Sequence, residues 1–113
     1  MTPKGSEAAR LRQRKYELVR RYGIPGDPLP GALIHARRRC GKPNCHCATG
    51  EGHPIWYLSF TVKGEKHQER IPHDWAEEVQ RRVAAGRAYK DAVAEVFAAN
   101  AQLLVLWRRQ SER

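Results

Sequence analysis

Along residues 54–62, Trp56, Leu58, Phe60 and Val62 alternate with Ile55, Tyr57, Ser59 and Thr61. A two-residue period predicts a β-strand, with the first set on a core face and the second on a milder, partly polar face. Lys63-Gly64-Glu65 then predicts a hairpin turn in which Gly64 supplies positive φ. Residues 66–71 return as a polar strand, suited to a sheet edge because its charges discourage further pairing. Upstream, residues 32–38 predict a short strand, with Ala32, Ile34 and Ala36 to one side and Leu33, His35 and Arg37 to the other. On this reading Arg37 and His35 share the outer face of the sheet with Tyr57 and Thr61.

After Pro72 the period changes. Trp75, Val79, Val83, Tyr89, Val93, Val96, Phe97, Leu103, Leu104 and Trp107 recur at helical steps, predicting a helix over about 75–110. Asp74 is placed to cap it, and Glu77 three residues later completes a capping-box pattern. Gly86 inside the run is expected to weaken or bend the helix, at about 1 kcal/mol relative to Ala. At 1.5 Å per residue such a helix spans roughly 50 Å. It outreaches a sheet of three short strands, so residues 93–107 need a further apolar partner: the N-terminal helix, or the same helix of a second subunit in a homodimer.

A first helix is predicted over residues 6–22, capped by Ser6, with a modest stripe of Ala8, Leu11, Leu18, Val19 and Tyr22. Residues 23–31 hold three prolines and three glycines and read as a linker. The expected architecture is α+β: an N-terminal helix, a small three-stranded antiparallel sheet with a zinc loop between strands 1 and 2, and a long C-terminal helix. It divides into a basic N-terminal helix and linker over 1–31 and a zinc-stapled sheet plus long helix over 32–113.

Charge adds a partner class. The net charge is +9, and residues 1–42 carry eleven Lys/Arg against three acids, whereas 43–113 are close to balance. Such asymmetry points to a polyanion, nucleic acid above all, with DNA favoured over RNA. The plainer alternative is an Arg-rich composition with solvated charges, but that does not explain why the excess gathers at one end. Candidate contacts are Arg37, Arg38, Arg39 and Lys42 at the loop entry, Arg10, Arg12, Arg14, Lys15, Arg20 and Arg21 on the first helix, and Lys63 and Lys66 at the hairpin. The first ten residues do not resemble a signal peptide, and no uninterrupted run of about 18 apolar residues exists, so a cytoplasmic location without membrane insertion is expected.

Residues 40–53 carry the candidate chemistry. They hold all three cysteines, in the spacing Cys-x4-Cys-x-Cys-x5-His. Three thiolates and one imidazole are a common tetrahedral Zn²⁺ set, here Cys40, Cys45, Cys47 and His53. Gly41, Pro43, Gly50 and Gly52 allow the tight turns that converge the ligands. Arg38, Arg39 and Lys42 favour the thiolate forms. His46 competes as fourth ligand, and His35 is more distant. One structural zinc per chain is expected. Glu51 is the only acid in the loop, too little for a catalytic zinc with a general base, so no enzymatic activity is expected.

Arg38-Arg39-Cys40-Gly41-Lys42-Pro43-Asn44-Cys45-His46-Cys47, a His shortly after, an aromatic-rich strand, a short basic hairpin and a long Ala/Arg-rich helix resemble a family of small prokaryotic proteins classed as a domain of unknown function, DUF6788, often encoded on mobile elements. The resemblance covers about residues 36–100. Pro54 and Ile55 stand between His53 and Trp56-Tyr57 where a Gly would follow the His in that family. The resemblance implies the architecture and no established activity. Together these features suggest a small zinc-binding accessory or regulatory protein that binds DNA, with a zinc-stabilised assembly module built on the long helix as the alternative.

Overall fold

The computed structural model describes residues 3–39, 41–44, 50 and 52–112. The chain is α+β. Helix α1 (Ser6–Tyr22) precedes strands β1 (Ala32–Arg38), β2 (His53–Val62) and β3 (Glu65–Ile71), a 3-10 turn (His73–Trp75) and helix α2 (Ala76–Ser111). The three strands form one antiparallel sheet in the order β1-β2-β3. The ligand set proposed for zinc falls mostly outside the described residues: Cys40, Cys45 and Cys47 lie there, as does His46, while His53 opens β2.

The β2–β3 turn has two residues, Lys63 and Gly64, with φ of 52° and 85°. Both central residues at positive φ match the right-handed twist of the flanking strands, which is why two-residue hairpins favour this geometry. The turn pairs Val62 with Glu65, and hence Thr61 with Lys66, Ser59 with Gln68 and Tyr57 with Arg70. On the other side of β2, Leu33 pairs with Leu58, His35 with Trp56 and Arg38 with His53. Because directly paired residues share a face, one face carries Leu33, His35 and Arg37 with Trp56, Leu58 and Phe60. The other carries Ile34, Ala36 and Arg38 with Ile55, Tyr57, Ser59, Lys66, Gln68 and Arg70. His35 and Arg37 therefore lie on the helix side of the sheet and not beside Tyr57. The odd positions of β1 meet the even positions of β2, and His35 stacks on Trp56 with ring centroids 4.2 Å apart.

The core is Leu58, Val79 and Val83, with Leu29, Leu33, Phe60 and Ile71 packed around it. It forms where the first three turns of α2 cross the sheet, and Ala76, Val79, Val83 and Gly86 are the helix's buried residues, at three- to four-residue steps. Gly86 is held to glycine by packing. A Cβ there would lie 3.3 Å from the Leu29 carbonyl carbon and well inside contact distance of its oxygen. The close approach lets the Leu29 N–H donate to the Arg82 carbonyl at 3.0 Å, so the end of the proline- and glycine-rich segment docks on α2. Beyond Gly86 no residue of α2 is buried, and the molecule extends 79 Å by 36 Å by 24 Å.

Neither expected side-chain cap forms. Gly5, not Ser6, is the N-cap of α1, and no side-chain cap bond is made there. Asp74 lies inside the 3-10 turn closed by Trp75 N–H to Pro72 C=O at 2.9 Å, so α2 starts after it at Ala76. Glu77 and Glu78 in the first turn still complement the positive end of the helix. No residue of α1 is buried. Among the described residues no helix is long and apolar enough to cross a membrane.

Candidate nucleic-acid interface

Strand β3 reads Glu-Lys-His-Gln-Glu-Arg-Ile, and alternation sorts its charges by face. Glu65, His67, Glu69 and Ile71 are on the helix side; Lys66, Gln68 and Arg70 are on the outer side. The strand is an exposed edge, so its three outer side chains stand in one row, two residues or about 7 Å apart. Across the sheet the row meets Thr61, Ser59 and Tyr57.

At the loop end of this face is a groove of about 390 Å³, lined by Arg38, Arg39, His53, Ile55, Tyr57, Gln68 and Arg70. Among the described residues no carboxylate lines it. Ile55 is buried, which makes it an apolar floor where sequence alone suggests a mild exterior position. The Arg38 guanidinium carbon lies 5.3 Å from the centre of the Tyr57 ring, within cation–π range. That contact restricts the rotamers open to Arg38.

The three loop-entry arginines are split by strand alternation. Arg38 is on the outer face; Arg37 is on the helix side, with Nη1 donating to the Gly52 carbonyl at 3.4 Å. Arg39, one residue past the strand, lines the groove and donates from Nε to the Gly50 carbonyl at 3.4 Å. Both bonds are long and therefore weak. Gly52 itself has φ 88°, and a Cβ there would lie 2.6 Å from the Arg38 carbonyl carbon, so only glycine lets the returning chain pass this close to β1. Lys42 is exposed. At the hairpin, Lys66 joins the outer row while Lys63 occupies the turn.

Helix α1 carries its basic residues differently. Arg10, Arg12, Arg14, Lys15, Arg20 and Arg21 are all exposed. Arg12 donates to the Pro3 carbonyl at 2.6 Å, Arg14 pairs with Glu17 at 3.4 Å, and Arg21 lies 5.9 Å from the Tyr22 ring centre. Lys15 Nζ donates to Asp27 Oδ1 at 2.8 Å, and this bond and its charge hold the Asp27 carboxyl below its ordinary 3.8. Such exposed pairs contribute little to stability.

Gln68 and Arg70 are absent from the residues singled out by composition and motif. The signal was present: a two-residue turn at Lys63-Gly64 makes paired positions sum to a constant, which puts Arg70 opposite Tyr57. The register of β1 has no such rule, because fourteen residues separate it from β2.

Among the described residues no group of three or more His, Cys, Asp or Glu is placed to hold a metal ion; all three cysteines lie outside them. His53 pairs with Arg38 on the last rung of the β1–β2 ladder. The candidate ligand run therefore starts two residues beyond one partner of that rung and ends on the other, and three thiols with an imidazole have the donor chemistry zinc takes.

No curated protein and no solved structure matches this chain. A family described as Domain of unknown function (DUF6788) matches residues 8–81, which takes in most of α1, the linker, the whole sheet and the first turn and a half of α2. The match covers well over half of the chain, and the protein belongs to the DUF6788 family.

Proposed function

We propose that this protein is a small zinc-stapled DNA-binding protein whose outer sheet face enters the major groove, with Cys40, Cys45, Cys47 and His53 as ligands of one structural Zn²⁺ per chain. The observation that carries the reading is the sorting of β3: bases and an amide on the outer face, acids on the helix side. A solvated strand has no need to segregate its charges in this way. The B-DNA major groove admits a β-ribbon, and Arg and Gln are the side chains that make bidentate bonds to guanine and adenine edges there. The A-form major groove is too deep and narrow for a sheet, which favours DNA over RNA. Arg38, Arg39 and Lys66 supply phosphate contacts or base contacts around this row, and the exposed basic face of α1 adds backbone contacts. The metal would fix the loop carrying Lys42 and tie it to the groove at His53. The fitting role is an accessory or regulatory one, in line with the mobile-element setting that the family resemblance implies.

The test is duplex binding followed by fluorescence anisotropy across a salt series. Wild-type log K is expected to fall steeply with log salt, by about 0.9 per phosphate neutralised. Arg38→Ala combined with Arg70→Ala is expected to weaken binding at least about tenfold, whereas Glu69→Gln on the opposite face is expected to strengthen it slightly or leave it unchanged. Unaltered affinity and slope in the double variant would remove the sheet face from the interface.

A further inference from the structure

The far half of α2 leaves a broad apolar stripe uncovered. Val96, Phe97, Leu103, Leu104 and Trp107 are 57%, 70%, 61%, 59% and 68% exposed, on a helix whose last buried residue is Gly86. Apolar patches this continuous are uncommon on chains that stay alone in water. Helix α1 is a poor cover for it: Arg14 and Lys15 interrupt its own stripe between Leu11 and Leu18.

We propose that the occupant is the same stripe of a second copy, running antiparallel, with the two-fold axis at Asn100. The stripe is symmetric about that residue. Phe97 and Leu103 are three residues to either side, Val96 and Leu104 four, Val93 and Trp107 seven. Antiparallel pairing about Asn100 sets Trp107 against the second copy's Val93 and Phe97 against its Leu103, each ring opposite a smaller aliphatic group. Parallel pairing would instead set Trp107 on Trp107 and Phe97 on Phe97, leaving Val93 against Val93, which fills a uniform groove poorly. Asn100, the one polar residue on the stripe, meets its own copy on the axis, where two amides each donate and accept. A single buried Asn pair of this kind specifies register at some loss of stability. The stripe also clears the sheet: Val93, its nearest member, is seven residues beyond Gly86, about 10 Å along the helix.

The experiment uses the full chain without nucleic acid, so its outcome is separate from that of DNA binding. Sedimentation equilibrium at micromolar concentration is expected to give a dimer. Ser111, on the stripe side of α2 eleven residues from Asn100, is replaced by the photo-crosslinker p-benzoylphenylalanine, and isotopically light and heavy chains are mixed. Light–heavy crosslinks are expected on residues 87–91, around Tyr89, which is equally far from Asn100 on the other side. Crosslinks on residues 108–112 of the second copy would overturn the antiparallel arrangement, and crosslinks within one chain onto α1 would overturn the choice of occupant. A monomer across the concentration range would overturn the dimer itself. Phe97→Glu with Leu103→Glu is expected to abolish the dimer while retaining the circular dichroism of the folded sheet, since the core residues Val79 and Val83 lie elsewhere on α2.

Discussion

Substitution of Gly86 by Ala distinguishes two views of the long helix by the sign of its effect. For an exposed glycine in a helix interior, Gly→Ala stabilises by about 1 kcal/mol. Gly86 is buried against the Leu29 backbone, and an added Cβ has no room unless residues 28–30 move away. Moving them breaks the Leu29 N–H to Arg82 C=O bond, worth about 1 kcal/mol net and more if either group stays buried without a partner. It also lifts the half-buried Leu29 side chain off the Val79–Val83 cluster, at a cost of about 1–2 kcal/mol, a part of what full burial is worth. Against the gain in propensity, the net effect is a destabilisation of about 1–2 kcal/mol. For a domain of this size that lowers Tm by roughly 4–10 °C. Thermal and urea unfolding followed by circular dichroism at 222 nm measure it. A Gly86→Ala protein with a raised Tm would refute the packing account and restore the simple propensity reading.

Lys63 sits at φ 52°, a left-handed conformation costing a residue of this type about 1 kcal/mol, so Lys63→Asn is expected to raise Tm by several degrees; a fall would mean the turn is held by something other than local geometry. Asp27 has its carboxyl lowered by Lys15, so this pair stabilises the fold above the ordinary carboxylate pKa of 3.8, and the contribution disappears as pH falls through the lowered value. Asp27→Asn should therefore narrow the stability difference between neutral and acid pH slightly, with high salt erasing the effect because the pair is exposed; an unchanged acid limb would show that the pair contributes nothing. Metal removal is the broadest check. Purified protein is expected to hold one zinc per chain by metal analysis, and chelation or Cys40→Ser to lower Tm markedly, with Cys45→Ser and Cys47→Ser alike. Metal-free protein with the same Tm would dispose of the staple.

Much of the fold was legible because the informative interactions are local. The spans 6–22 and 32–38 are those observed for α1 and β1, and the β2–β3 hairpin follows from its alternation and its Gly64 turn. Trp56, Leu58 and Phe60 share a face as their period requires, although Val62, the fourth of that set, ends up 46% exposed near the hairpin tip. Helix caps were less legible. Asp74 has the right chemistry for a cap, but Pro72 and the 3-10 turn that follows it set the entry of α2 and leave Asp74 one residue before the N-cap, which is Trp75. The faces taken by the basic cluster were not legible. Alternation in β1 already separates Arg37 from Arg38, but only pairing with β2 reveals that Arg37 is on the helix side and Arg38 on the groove side.

Read along the chain, the residues determine where elements start and stop, which positions alternate, and which donors lie close enough in sequence to share a metal. Those properties depend on backbone preferences and on spacings of a few residues. Tertiary structure decides how β1 registers on β2, why Gly86 must have no side chain, and how Arg38 on β1 comes to share a groove with Tyr57, Gln68 and Arg70. Each of these is a contact between segments far apart in sequence. Its geometry is set by mutual packing and by backbone hydrogen bonds across the gap, and no local pattern of residues encodes it.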